Sequence, residues 1–277
     1  MAMGLTSCKA ADWIELDDRY DAEMAERRTL LAERHQDVFA AMPVSEDARR
    51  EVLEHLADHL PSRYPDWFGL DGEVLQNRLT GEAWNLADPR CDPLELAGRL
   101  VQEDLCLIQP GDDGPVLTAA VLCFPSRWRL SEKIGRKLAD VHAPVPLYAD
   151  RLAAPVDRFM DRVKTGHIAV RLNWSMMDDP QLFQTGGKHR DGVNEAITAE
   201  TAGESLFLRV ERQTLRRLPR SQAVLFTIRV HVYPLALVAR SSARELGEAV
   251  RAMPDELGRY KSLGRFRNAL LRYLDAL

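Results

Sequence analysis

The spacing of apolar residues changes period along the chain. Across residues 18–41, Met24, Leu30, Leu31, Val38 and Phe39 make an irregular apolar stripe among Glu, Arg and Asp, which predicts a charged helix ended by Pro43. Ser45, ahead of Glu46 and Asp47, reads as the N-cap of a second helix with acid in its first turn. Val52, Leu53, Leu56 and Leu60 form its buried stripe, and Pro61 and Pro65 its end. In the middle the period shortens to two. Residues 104–109 and 116–124 are apolar runs flanking Pro110-Gly111-Asp112-Asp113-Gly114-Pro115, which predicts a hairpin. Further on, Ile168, Val170, Leu172 and Trp174 oppose Ala169, Arg171, Asn173 and Ser175. Likewise Leu206, Leu208 and Val210 oppose Phe207, Arg209 and Glu211. Val224, Phe226, Ile228, Val230 and Val232 oppose Leu225, Thr227, Arg229, His231 and Tyr233. Strict alternation predicts antiparallel strands with one apolar face.

Residues 131–140 read as helix-like, and helical spacing returns from Ser241. Leu246 and Val250 precede Pro254, and Leu263, Phe266, Leu270, Leu271 and Leu274 follow. Helices at both ends and hairpin-linked strands between them predict an α+β fold with helices packed on one antiparallel sheet. The expected organisation is a single domain over 1–277, with a helical N-terminal extension at 1–62, a core at 63–235 and C-terminal helices at 236–277.

Composition narrows the function. A chain of 277 residues with 45% hydrophobic and 29% charged residues has material for a real core, which excludes a disordered or collagen-like chain. A net charge of −5 lacks the field that holds nucleic acid or an anionic membrane. No apolar run approaches the ~18 residues of a membrane span, and no signal-peptide pattern precedes Asp12. Cys8, Cys91, Cys106 and Cys123 show no C-x-x-C spacing and read as buried free thiols, which suits a cytoplasmic protein. Phosphate-loop, dinucleotide, nucleophile-elbow and H-E-x-x-H motifs are missing.

A few positions carry candidate chemistry. His55 and His59 stand one helical turn apart beside Glu51, a spacing that can share a metal, though a solvated or interface pair is the plainer reading. Val141-His142-Ala143-Pro144-Val145-Pro146 holds His142 between a helix-like stretch and two prolines. A histidine so constrained can aim one ring nitrogen at a fixed point; a helix-capping histidine is the alternative. His167 opens a strand and reads as structural, and Lys188–Gly192 reads as a polar loop that could close over a pocket. Arg171, Asn173, Arg209, Glu211, Thr227, Arg229 and His231, drawn from three strands, form the expected polar side of the sheet. If covered, such a cluster must be paired, and it would suit a carboxylate-bearing ligand.

Several blocks resemble the haem-dependent oxidative N-demethylase family. They are Leu60-Pro61-Ser62-Arg63-Tyr64-Pro65, Phe124-Pro125-Ser126-Arg127-Trp128, Lys133-Ile134-Gly135, the His142 segment, Arg171-Leu172-Asn173-Trp174-Ser175, the run from Arg209 to Pro219, and Phe226-Thr227-Ile228-Arg229. The resemblance implies a PAS-like fold, haem b, and monooxygenase chemistry at iron that removes a methyl group from a small secondary amine of the dimethylamine type, releasing formaldehyde. It also implies electrons from a separate flavin and iron–sulfur reductase, since this chain has no cysteine spacing or nucleotide motif for those centres. An oligomer is a further expectation. Carried onto this sequence, it makes His142 the proximal iron ligand, with His167, His189 and His231 as rivals. It places Glu211 and Arg212 in the pocket: Arg212 on a propionate or bound oxygen, Glu211 orienting Arg212 or holding the amine. Arg171, Asn173 and Arg229 become propionate or pocket-wall residues. Phe207, Phe226, Trp174 and Trp128 supply apolar walls. A non-enzymatic PAS-like haem or small-molecule sensor is the alternative, and a structural subunit that has lost haem a third reading.

Overall fold

Strand pairing organises the molecule. The computed structural model describes residues 4–146, 148, 153–186 and 192–277. In chain order the elements are β1 (Thr6–Cys8), α1 (Tyr20–Glu33), α2 (His35–Val38), β2 (Phe39–Ala41), α3 (Glu46–Arg63), β3 (Phe68–Asp71), β4 (Val74–Asn77), β5 (Ala83–Asn85), α4 (Pro93–Gly98), β6 (Asp104–Gln109), β7 (Val116–Val121), α5 (Leu138–Val141), α6 (Ala153–Arg162), β8 (Ile168–Met177), α7 (Ala202–Ser205), β9 (Phe207–Arg217), β10 (Val224–Pro234), α8 (Leu235–Ala252), α9 (Asp255–Tyr260) and α10 (Arg267–Asp275). Seven strands form one antiparallel sheet in the order β1-β8-β9-β10-β6-β7-β2, and β3–β5 form a small second sheet. Within the large sheet the five strands β6–β10 run second, first, fifth, fourth, third, the order of a PAS-like sheet. The α+β expectation holds.

Three apolar layers fill the fold. Leu105, Leu107, Ala119, Val121 and Leu225 pack under the N-terminal helices α1, α3 and α4. On the opposite face, Cys106, Ile108, Ala120, Leu215 and Val224 meet Leu138 of α5 and Met160 of α6. Arg217 ties α6 down by donating from Nε to the Val163 carbonyl at 2.8 Å. The C-terminal helices close a separate cluster, in which Leu246, Val250, Leu270 and Leu274 pack with Met176 and Leu206.

The elements differ from the sequence expectation where distant partners decide. Residues 39–41 leave the helical register and pair with β7, Phe39 opposite Val121, which satisfies an otherwise bare sheet edge. Pro61 does not end α3. It lies in the last turn, and Tyr64 N–H still reaches the Leu60 carbonyl at 2.8 Å. The Ser45 hydroxyl donates back to Met42 O at 2.7 Å rather than capping α3. Residues 131–140 hold only a short 3-10 turn and the start of α5. Cys106 and Cys123 are buried, whereas Cys8 and Cys91 are partly exposed; all four are free thiols. No helix among the described residues is long and apolar enough to cross a membrane.

An ion pair lies fully buried at the start of β6, where Arg27 and Asp104 meet at 3.1 Å. Asp104 also accepts from Cys123 N at 2.7 Å and Phe124 N at 3.0 Å. A carboxylate held by a guanidinium and two backbone donors fixes the point where the chain leaves β7 as Phe124-Pro125-Ser126-Arg127-Trp128.

Candidate functional site

Register splits the expected polar side of the sheet in two. Asn173 lies directly opposite Glu211, and Arg229 directly opposite Arg212. Side chains alternate along each strand. Arg171, Asn173, Arg209 and Glu211 therefore share one face, while Arg212, Thr227, Arg229 and His231 share the other. The single polar side is corrected to two, because each strand shows its own alternation but not its phase against its neighbours. The same geometry puts Phe207 and Phe226 on the Glu211 face and Trp174 on the Arg212 face. Trp128 packs in the α5–α6 layer, on the Glu211 side.

The Arg212 face is closed by the chain's own acids. Arg212 donates to the Trp13 carbonyl at 3.0 Å and to the Asp12 carbonyl, and its Nε meets Glu15 at 3.0 Å. Arg229, fully buried, pairs with Asp17 at 2.7 Å and Glu23 at 2.8 Å. His231 faces Glu15 at 3.3 Å. Beneath them Glu103 accepts the Glu15 N–H at 2.8 Å, and burial pushes its carboxyl up to about 7 against the pull of Arg229. These groups strap residues 12–23 to the sheet. Arg212 and Glu211 point to opposite sides, so Glu211 does not orient Arg212, and Arg229 lies with Arg212.

The Glu211 face is built differently. Glu211 accepts from the Ser126 hydroxyl, from Asn173 Nδ2 at 3.1 Å and from Gln213 Nε2 at 2.6 Å. Ser126 in turn accepts from Arg209 Nε at 2.8 Å. Arg209 spends its other donors on the carbonyls of Phe124 (2.8 Å), Gln181 (3.0 Å) and Leu182 (3.0 Å). Among the described residues no cation lies within 4.0 Å of the Glu211 carboxylate; three neutral donors hold it. Close by, Arg171 is a partly buried guanidinium with no hydrogen-bond or ion-pair partner among the described residues, and its Nε is buried bare. Burial lowers its pKa, and Glu211 pulls it back up. From the end of α9, Lys261 reaches round the open edge of β8 to Asn173 Oδ1 at 3.3 Å and to the Trp174 carbonyl. Burial brings its ammonium down to about 8, and the neighbouring Tyr260 phenol rises to about 12.

Backbone strain sits beside this cluster. Arg127 follows Ser126 at φ 60°, and Ser262 follows Lys261 at φ 56°. Left-handed geometry is costly for a residue with a Cβ, by roughly 1–2 kcal/mol, and it persists only where neighbours impose it. Asp178 joins the two flanks, bonding Arg127 at 3.0 Å and meeting Arg265 at 3.4 Å.

His142 stands on the same side of the sheet, at the C-terminal end of α5. Its Nδ1 meets the Leu138 carbonyl at 2.8 Å, so the ring donates from Nδ1. The ring stacks on Tyr148 at 4.7 Å, and the buried Tyr148 hydroxyl has no hydrogen-bond partner among the described residues. His167 is exposed. His231 belongs to the opposite face, and His189 lies outside the described residues, as does the loop stretch 187–191.

Elsewhere the chemistry is quieter. No group of three metal-binding side chains exists among the described residues. His59 packs edge-on to Trp13 at 5.2 Å and is held neutral by burial, with its pKa near 4, while His55 stands 3.9 Å from Glu51. A groove of about 850 Å³ between α8 and the C-terminal end is lined by none of the Glu211 cluster.

The structure thus gathers Glu211, Asn173 and Arg171, puts His142 on the same side, and gives Arg212 and Arg229 to the N-terminal strap. Sequence reasoning missed Ser126, Gln213 and Lys261. Ser126 had a signal, since it lies in one of the family-like blocks. Lys261 had none, because only the tertiary fold brings α9 to β8. The blocks 124–128, 171–175 and 209–219 converge on Glu211. Compared with known families, residues 4–271 match the one described as Haem-dependent oxidative N-demethylase, alpha subunit-like.

Proposed function

The chain belongs to the haem-dependent oxidative N-demethylase, alpha subunit-like family, and from that premise we propose that it is the haem-bearing subunit of an enzyme that removes a methyl group from a small secondary amine. An alpha subunit has a partner subunit; here that partner is a reductase carrying flavin and iron–sulfur centres. With dimethylamine as the simplest substrate, the amine, O2, two electrons and two protons give methylamine, formaldehyde and water.

The residues fit a haem. An imidazole whose Nδ1–H is committed to a backbone carbonyl is oriented to use Nε2 as a ligand, the usual arrangement around a metal-bound histidine. The unpartnered Tyr148 hydroxyl beside it is a polar group awaiting a neighbour. Haem b bound to His142 would supply O2 activation at iron. Leu215, Phe226, Trp128 and Phe159, from the apolar layer on this side, would wall the haem and keep water away.

The observation that carries this reading is Glu211: a half-buried carboxylate satisfied by neutral donors only. A substrate ammonium supplies the missing countercharge, and Ser126, Asn173 and Gln213 hold the oxygens still while it binds. The four unpaired thiols support a reducing, cytoplasmic setting.

The test is direct. Haem-loaded protein should show a Soret band that shifts or is lost in His142→Ala. With dimethylamine, O2 and a reductant it should release formaldehyde. A Soret band indifferent to His142→Ala removes the ligand assignment, and no formaldehyde from any small secondary amine removes the activity.

A further inference from the structure

The Glu211 face contains an anion without a cation and a cation without an anion. Among the described residues Glu211 has no guanidinium or ammonium within 4.0 Å, and Arg171, two positions before Asn173 on β8 and directly opposite Gln213, has no hydrogen-bond or ion-pair partner. Nothing about the strands keeps them apart. The amides of Asn173 and Gln213 occupy Glu211, and the guanidinium is left facing the same space.

The charge balance sharpens the point. Arg171 and Lys261 interact electrostatically with Glu211, while Arg209 is shared among Glu211, Asp104 and Asp179, so two cations stand against one acid here. Arg209 hydrogen-bonds only carbonyls and a hydroxyl, and Lys261 an amide oxygen and a carbonyl, with its ammonium 5.5 Å from the centre of the Trp174 ring. Tyr260, the other titratable group packed here, stays neutral with its pKa near 12. A bare ammonium substrate would add a further positive charge to this excess. A molecule carrying both an ammonium and a carboxylate adds none, and it completes both unpaired groups at once.

We propose that the amine demethylated by this protein is an N-methyl amino acid, its secondary ammonium on Glu211 and its carboxylate on Arg171, with Lys261 reinforcing the anion end. The proposal rests on the amine reading above and narrows it. Glu211 and Arg171 sit on neighbouring strands, so the two charges they recognise must be close, as in an α-amino acid such as N-methylglycine. The positions of the two recognition groups are set by backbone: Arg171 by β8, and Glu211 by β9 through ladder bonds and its three donors. Lys261 is set by the left-handed turn at Ser262. A rigid pair of opposite charges reads a zwitterion by geometry as well as by sign.

The shared chemistry here is a carboxylate, and a haem propionate is the other source of one. Ligand comparison on the unaltered, haem-loaded full chain separates them. Binding is followed by calorimetry and by the change in haem absorption. N-methylglycine should bind roughly 10–100-fold more tightly than N-methylglycinamide, in which an uncharged amide replaces the carboxylate, and than dimethylamine, as one charge-assisted pair is worth ~1.5–3 kcal/mol. In Arg171→Gln that preference should collapse to about one, with the Soret band retained. Equal or weaker binding of N-methylglycine overturns the inference. So does loss of the Soret band in Arg171→Gln, which assigns the guanidinium to a propionate instead. Formaldehyde from dimethylamine with no binding of N-methylglycine overturns the inference and leaves the amine reading standing. Failure of all three amines to bind or react overturns both.

Discussion

β9 carries two arginine-rich faces that look alike in sequence and behave as opposites in the fold. On one, Arg212 and the neighbouring Arg229 are charge-paired with Glu15, Asp17 and Glu23 from the N-terminal strap. On the other, Glu211 and Arg171 are kept from each other by neutral amides. Charge matched by the chain's own opposite charge is scaffold: desolvation has already been offset, and no ligand gains by entering. Charge held in place by neutral dipoles, with its counterion missing, is poised for a ligand. The distinction lies in which partners are supplied, not in how polar the residues are.

The sharpest way to break this contrast is to exchange the two kinds of loss. Arg229→Met should cost roughly 3–5 kcal/mol in chemical denaturation, because it strands Glu23 and Asp17 beside the sheet. Removing the ligand-facing group should do the reverse. Glu211→Gln should lower kcat/KM roughly 10²–10³-fold, the scale for truncating one partner of a desolvated charge pair, with a midpoint of unfolding within about 1 kcal/mol of the parent. An equal stability loss in both variants would erase the difference between the faces.

pH sharpens it further. The folded carboxyl of Glu103 titrates near 7 while an unfolded one titrates near 4.3, so the folded state holds a proton that the unfolded chain releases. Stability should therefore fall as pH rises from about 4.5 to 7, by up to ~3 kcal/mol, and then level off. Glu103→Gln should flatten that slope, gaining over the parent at pH 8 and matching it below pH 4.5. Denaturation curves at several pH values check the sign. The smallest effect is expected from Ser126→Ala. It removes one donor to Glu211 and one acceptor from Arg209, about 1 kcal/mol in stability, and raises KM for the amine more than it lowers kcat. A change confined to kcat would argue that Ser126 acts on the reaction step instead.

How far the sequence reveals this depends on distance along the chain. The strand cores 168–176 and 224–233 are legible because alternation is local. So is the kinship of Asn173 with Arg171. The reach of β9 to Arg217 is not, since its arginines look too charged for a strand. Their partners come from far away: Arg216 lies over the Trp13 ring at 4.3 Å, and Arg217 holds α6. The phase of Arg229 against Glu211 is set by the turn between β9 and β10, where Leu218 N–H meets Ala223 O at 2.8 Å, and no single strand encodes it. The three-residue strands β1, β2 and β5 are too short to show a period. The polar cluster is legible as residues of three strands, but only pairing in space tells which of them lack a charge partner of their own.

The outermost strands of the large sheet have a consequence for how this chain folds. Both come from the first 41 residues: β1 caps β8, 164 positions away, and β2 caps β7. β1 covers only residues 168–170 of β8, and beyond them the open border of that strand is met by Lys261 at the Trp174 carbonyl. The two borders differ in reach: β1 pairs with β8 across 164 positions and must close a long loop, whereas β2 needs only β7.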